Sequence, residues 1–315
     1  MPSPDAPDAP NAIGLEPAAR NDNQPAQTHP HHQSGDDLRA GQGDGGPYDL
    51  GQPGEPEPEP LPAEPTSREE VAALWRSCAP DLTDAQIDLL AQYRDLLHER
   101  NQRVNLTAVR DFPGIERRLI QESLRLLPAL ASRVSAGDRV LDIGTGGGLP
   151  GMVLAIARPD LSFTLMDATG KKVQFLTDAV AAMGLANVHP LHGRAEEIAR
   201  NGRYRGQFRV AVARAVSSLP ALIELGLPFV ALGGYLVLPK GIDLNEELQV
   251  AERAGALVGG RVVEASILPE AGSSVETRLV VIEKVAPTPK TYPRRTGLPT
   301  HAPLGLAEKP ARSRR

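Results

Sequence analysis

Asp142-Ile143-Gly144-Thr145-Gly146-Gly147-Gly148-Leu149-Pro150-Gly151 joins a short apolar run, RVLDI (139–143), to a segment of helical character at 150–158. A strand that turns through glycines into a helix offers backbone N–H groups at a helix N-terminus, where a ligand can come close. In open α/β sheets ligands lie at the carboxyl ends of the strands. Outward from this stretch the same grammar repeats. SFTLMD (162–167), NVHPLH (187–192), FRVAVAR (208–214) and GYLVLPK (234–240) read as further strands, with helices expected at 171–183, 217–225 and 243–256. Strands separated by helices require right-handed crossovers, hence a mostly parallel sheet covered on both faces. RVVEASIL (261–268) and TRLVVIEK (277–284) have no helix between them, so this last pair is expected to be antiparallel.

Upstream of the sheet, Ser67-Arg68-Glu69-Glu70 and Thr83-Asp84-Ala85-Gln86 both carry the capping-box pattern. The first opens a helix to about Cys78; the second opens one whose Ile87, Leu90, Ala91 and Leu97 form an apolar stripe. A third helix is expected over 114–131. The chain therefore divides into a leader (1–66), an N-terminal helical subdomain (67–135), a seven-stranded sheet domain (136–286) and a basic C-terminal tail (287–315). The leader holds 14 of the 30 prolines and 12 acids against Arg20 and Arg39, and is expected to be disordered. Removing its charge of −10 from the −5 of the whole chain leaves +5 for residues 67–315, and the last 29 residues alone carry +6. A near-neutral body with a basic end fits a polyanionic partner, although a solvated end has the same charge.

Several classes are excluded by what the chain lacks. No apolar run approaches the roughly 18 residues that span a bilayer, and MPSPDAPDAP is not a secretory signal. A single cysteine, Cys78, cannot form an internal disulfide, which agrees with a cytoplasmic setting. No Cys/His spacing resembles a metal site, and a monomer is expected.

Two ligands compete for the glycine turn. Gly146, Gly148 and Gly151 match the GxGxxG pattern of dinucleotide-binding proteins. Asp142, two residues before Gly144, favours the other candidate, S-adenosylmethionine. A carboxylate at the strand end suits the cationic amino-acid portion of that cofactor and would repel a diphosphate. Asp167 ends the next strand and is placed to accept hydrogen bonds from ribose hydroxyls, a role common to both cofactors. GRAEE (193–197) follows the third strand on the adenine side, while Arg214 and Lys240 end the fourth and fifth strands.

Seven strands with a terminal hairpin resemble the Rossmann-like layout of class I methyltransferases. More specifically, NLTAVRD (105–111), DIGTGGGLPG (142–151), Asp167 with GKKVQFL (170–176), RAE (194–196), ARA (213–215) and RLVVIEK (278–284) resemble the bacterial small-subunit ribosomal RNA methyltransferase G family, also called glucose-inhibited division protein B. The resemblance covers about residues 83–300, and YPRRTGLPTHAPLG (292–305) is similar to the family's basic C-terminal segment. It implies S-adenosylmethionine-dependent methylation of N7 of a guanine in the decoding-site loop of 16S rRNA, within the small ribosomal subunit. It further implies that Gly144 and Leu149 line the cofactor pocket, that Ala195 and Glu196 flank the adenine, and that Arg214 completes the site; Gly146, in the same turn, is expected to bind the cofactor as well. One departure stands out: where the family has RHxxDS, this chain reads Arg118-Leu119-Ile120-Gln121-Glu122-Ser123.

Attack by the neutral N7 lone pair needs alignment rather than a proton acceptor, so no catalytic base is expected. Cytosine C5 chemistry would need a thiol nucleophile, and Cys78 lies far from any strand end. For RNA docking the expected residues are Arg110, Lys171, Lys172 and Lys240 beside the pocket, with Arg294, Arg295, Arg312, Arg314 and Arg315 supplying phosphate contacts. The rival readings are a methyltransferase acting on another RNA or a small molecule, a nicotinamide dehydrogenase, and a non-catalytic RNA-binding relic.

Overall fold

The computed structural model describes residues 67–214, 217–241, 245–268 and 276–306. The acidic leader, with the tail residues Arg312, Arg314 and Arg315, lies outside the described residues. Both capping boxes form. Ser67 Oγ accepts from Glu70 N–H at the start of α1 (Arg68–Arg76), and Thr83 Oγ1 accepts from Gln86 N–H at the start of α2 (Asp84–Asn101). Gln86 does a second job: its Nε2 donates to the carbonyls of Ile156 and Ala157 at 3.0 Å, tying α2 to the end of α6 (Gly151–Ala157).

The expected helix over 114–131 is broken. It comprises α3 (Phe112–Gly114), a π-helical stretch Ile115–Gln121, α4 (Glu122–Leu124) and, after a gap, α5 (Leu127–Ala131). Asp111 caps Gly114 N–H at 2.9 Å, and Pro128, which has no N–H to give, opens α5. Wide π turns are rare and concentrate at functional sites.

The sheet runs β3-β2-β1-β4-β5-β7-β6. Its strands are β1 (Arg139–Ile143), β2 (Ser162–Asp167), β3 (Val188–His192), β4 (Phe208–Val212), β5 (Val230–Lys240), β6 (Gly260–Ile267) and β7 (Arg278–Lys284). All neighbours pair in parallel except β7, which is antiparallel to both β5 and β6. The order reverses at β1, flanked by β2 and β4, so the crevice above β1 is the place for a ligand. One face is covered by α1, α2, α6 and α7 (Gly170–Met183), in a core that holds Trp75, Leu90, Tyr93 and Leu97 together with Met152, Phe163 and Leu176. The N-terminal helices and the sheet thus share one core. The opposite face is covered by α8 (Ala195–Ile198), α9 (Leu219–Gly226) and α10 (Asn245–Val258).

Residues 287–306, expected as a tail, are docked on this second layer as far as they are described. Arg205 donates to the carbonyls of Thr288, Pro289 and Tyr292, Arg200 to that of Pro293, and Arg253 to that of Gly305. Buried Lys284 bonds the carbonyls of Leu227 and Val258 and the Thr288 hydroxyl. Arg294 is corrected by this packing. Its Nη2 and Nε meet both carboxylate oxygens of Glu224, a wholly buried side chain on α9, and its Nη2 also reaches Ala302 O, so it is committed to the fold rather than to phosphate. Breaking a buried pair leaves an uncompensated charge, so Arg294→Ala is expected to lower stability by about 3–5 kcal/mol, measurable as a reduced denaturant midpoint.

Candidate active site

The turn after β1 reaches over the crevice with Gly144, Gly146 and Gly148 at φ +66°, +60° and +103°, conformations that an L side chain resists. Three anchors hold it. Thr145 N–H donates to Met166 O on β2, Gly146 N–H donates to Asp167 Oδ2 at 2.9 Å, and the buried Tyr93 hydroxyl on α2 donates to Gly147 O at 2.7 Å. The loop at 105–110 lies against the turn, and a Cβ on Gly147 would meet Leu97 and Leu106. Buried Asn101 organises that loop: its Oδ1 accepts from Leu106 and Thr107 N–H, and its Nδ2 donates to Val109 O. NLTAVRD therefore works as a wall of the glycine turn.

Asp142 is fully buried. One oxygen, Oδ2, accepts from Thr145 Oγ1 at 2.6 Å and from Gly151 N–H at 2.8 Å, stitching the turn to the first residue of α6. The other, Oδ1, has no hydrogen-bond partner among the described residues. Desolvation pushes the carboxyl up to about 6, opposed by these hydrogen bonds and by the charge of Arg214. A buried acceptor without a donor is costly, and it marks a place where a ligand donor belongs. Asp167, nearly buried at the end of β2, accepts one backbone N–H on each oxygen, from Gly146 and Thr169, which leaves lone pairs for further donors. Both acids fit a cofactor that carries an ammonium and ribose hydroxyls.

Arg214 follows β4. Its Nη1 lies 3.4 Å and 3.5 Å from the carbonyls of Arg118 and Leu119, in the π-helical stretch. Burial lowers its pKa, while the charge of Asp142 acts against that shift. Leu149 is buried beside the turn and Ala195 half-buried at the start of α8. Glu196 departs from expectation. It is buried with Oε1 accepting from Gly297 N–H at 2.9 Å, so one oxygen of its carboxylate holds the docked C-terminal segment.

Among the expected RNA-side cations, exposed Lys171 and half-buried Lys172 sit in the first turn of α7 and have no side-chain partner among the described residues. Arg110 is exposed and bonds Asn105 Oδ1 and Asn101 O; Arg295 is exposed. Lys240 is tied to Glu247 at 3.3 Å and to Ser217 O at 3.1 Å, which takes it out of the free set. Tyr93, Asn101 and Thr145 were missed as site residues. A tyrosine in the 90/93/97 stripe was the available signal, because a buried hydroxyl needs a partner.

Residues 86–273 match the family model described as rRNA small subunit methyltransferase G. The chain belongs to that family. Among curated relatives, ribosomal RNA small subunit methyltransferase G of Moorella thermoacetica is 41% identical over 234 residues, covering 74% of this chain and 97% of the relative. The protein of the same name from Deinococcus deserti is 43% identical over 225 residues, covering 71% and 91%. As a methyltransferase G family member, the chain is an S-adenosylmethionine-dependent enzyme of the class I methyltransferase fold. Among the described residues no cluster of three His, Cys, Asp or Glu could hold a metal ion, and no helix is long and apolar enough to cross a membrane.

Proposed function

We propose that this protein transfers a methyl group from S-adenosylmethionine to N7 of a guanine in the decoding-site loop of 16S rRNA, acting in the cytoplasm on the small ribosomal subunit. The carrying observation is the unpartnered, buried Asp142 Oδ1 at a glycine turn, in a chain that belongs to an rRNA methyltransferase family. Bound at this turn, the cofactor supplies an electrophilic methyl group on a sulfonium. Everything else is positioning. Asp142 Oδ1 takes the ammonium end, Asp167 the ribose hydroxyls, the backbone at Ala195 and Glu196 the adenine edge, and Leu149, Gly144 and Gly146 shape the wall.

Arg214 has a positioning role. Its Nη1 lies by the carbonyls of Arg118 and Leu119, and its charge acts on Asp142. That arrangement bears on Leu119, the residue standing where the family has histidine. The leucine side chain packs into the core, and what Leu119 presents to Arg214 is a main-chain carbonyl, which any residue provides. The substitution leaves the cofactor side intact, which counts against a non-catalytic relic. A dehydrogenase is disfavoured by the same Oδ1, which would face a diphosphate with like charge.

The test compares 16S rRNA from a deletion strain with the complemented strain. Loss of 7-methylguanosine at the decoding-site loop, restored by this gene and not by a Gly144→Arg copy, is expected; a deletion strain that stays methylated overturns the reading. For RNA docking, Lys171→Glu with Lys172→Glu is expected to weaken RNA binding at least tenfold. It should also shrink the slope of log affinity against log salt by roughly 0.7–0.9 for each phosphate no longer neutralised, with cofactor affinity unchanged by calorimetry.

A further inference from the structure

A parallel sheet covered on both faces is expected to be apolar along each strand. On the α8–α10 side this holds for Leu141, Met166 and Leu191, and fails at the other end of the same three strands. There, two residues earlier in each case, stand Arg139, Thr164 and His189, with Ser162 paired to Arg139 in register. Helix α8 is only four residues long, so its cover runs out before the strands begin. The result is an open cavity of about 320 Å³ over the starts of β1, β2 and β3, lined as well by Arg203 and Tyr204.

The chemistry of this cavity is one-sided. Its lining holds two guanidinium groups, an imidazole and three hydroxyls, and no carboxylate. Arg139 lies over the Phe208 ring at 4.6 Å and Arg203 over the Tyr204 ring at 5.9 Å, contacts that orient a guanidinium without using its N–H donors. Neither arginine has a carboxylate or carbonyl partner among the described residues, and the side chains of Ser162, Thr164 and His189 make no hydrogen bond there. Two oriented, unshared guanidinium groups backed by hydroxyls form a receptor for a phosphate-class anion.

We infer that this cavity binds a backbone phosphate of the substrate RNA, as a second docking point away from the methyl-transfer crevice. The inference rests on the function proposed above. Ser162 and Asp167 stand at opposite ends of β2, about 17 Å apart at roughly 3.3 Å per residue, so an RNA seated in the crevice reaches the cavity by passing along the β3 edge of the sheet.

The test is the variant Arg139→Gln with Arg203→Gln, assayed on small-subunit RNA. Expected are a KM for RNA raised about tenfold at unchanged kcat, unchanged cofactor affinity, and a salt slope of RNA binding reduced by about one. Because Arg139 also packs on Phe208, the exposed Arg203→Glu is made alone and should raise KM without lowering the melting temperature. RNA KM and salt slope equal to the parent's in both variants overturn the proposal. So does stabilisation of the parent by millimolar inorganic phosphate, lost in the variants while their RNA KM stays normal, since the site would then serve a free anion. If the parent transfers no methyl group to RNA, the proposed function falls, and the comparison of salt slopes still decides the cavity.

Discussion

Gly151→Ala is expected to abolish measurable S-adenosylmethionine binding and to unfold at a markedly lower temperature than the parent. An added Cβ would overlap Leu165 Cδ2 on β2 and would sit 2.7 Å from Asp142 Oδ2 and 2.8 Å from Asp142 Cβ. None of these atoms can retreat. Leu165 is buried in the sheet, and Asp142 is held by Thr145 and by Gly151 itself. Overpacking a core of this kind costs about 1–3 kcal/mol, and here the strain falls on the carboxylate that sets the turn. Calorimetry with the cofactor and a thermal melt give the two readouts; a variant that binds normally would mean the turn tolerates displacement of Asp142.

Asp142→Asn should move stability and binding in opposite directions. Holding the carboxyl at about 6 instead of 3.8 costs its ionised form about 3 kcal/mol. A carboxyl whose folded pKa lies above its unfolded value carries no penalty below about pH 4, a growing one from pH 4 to 6, and the full penalty above. Asparagine stays neutral, and its carbonyl still accepts from Thr145 and Gly151. The cofactor-free variant is therefore expected to melt several degrees higher than the parent at pH 7.5, with the difference vanishing near pH 4. Its affinity for S-adenosylmethionine is expected to fall at least tenfold, because the ammonium loses its counter-charge. Melts across pH 4–8 with parallel calorimetry check both. A variant less stable at pH 7.5 would show that the ionised carboxylate is satisfied by Arg214, contrary to its raised pKa.

Most of the sheet was legible because short apolar runs and glycine punctuation are local signals. All seven strands, the antiparallel hairpin at the end and both capping boxes are where the pattern puts them. The failures share a cause. The π-helical break at Ile115–Gln121 lies inside an apolar pattern that a plain helix satisfies equally well. Arg294, Glu196 and Lys240 read as free or ligand-facing charges because their partners Glu224, Gly297 and Glu247 lie 70, 101 and 7 residues away, and no local signal predicts such pairs. For Asp142 the charge logic singled out a residue that the structure buries at the glycine turn. That one oxygen would be committed to the turn itself was not visible without the fold.

The Tyr93–Gly147 hydrogen bond closes a gap of 54 residues, which matters while the chain is being made. Helix α2 leaves the ribosome with its oily stripe finished before the sheet and the helices α6 and α7 that complete its core. At roughly 5–20 residues per second, its seat arrives seconds later, after β1 and the turn have emerged. Until then the Tyr93 hydroxyl has no glycine turn to hold.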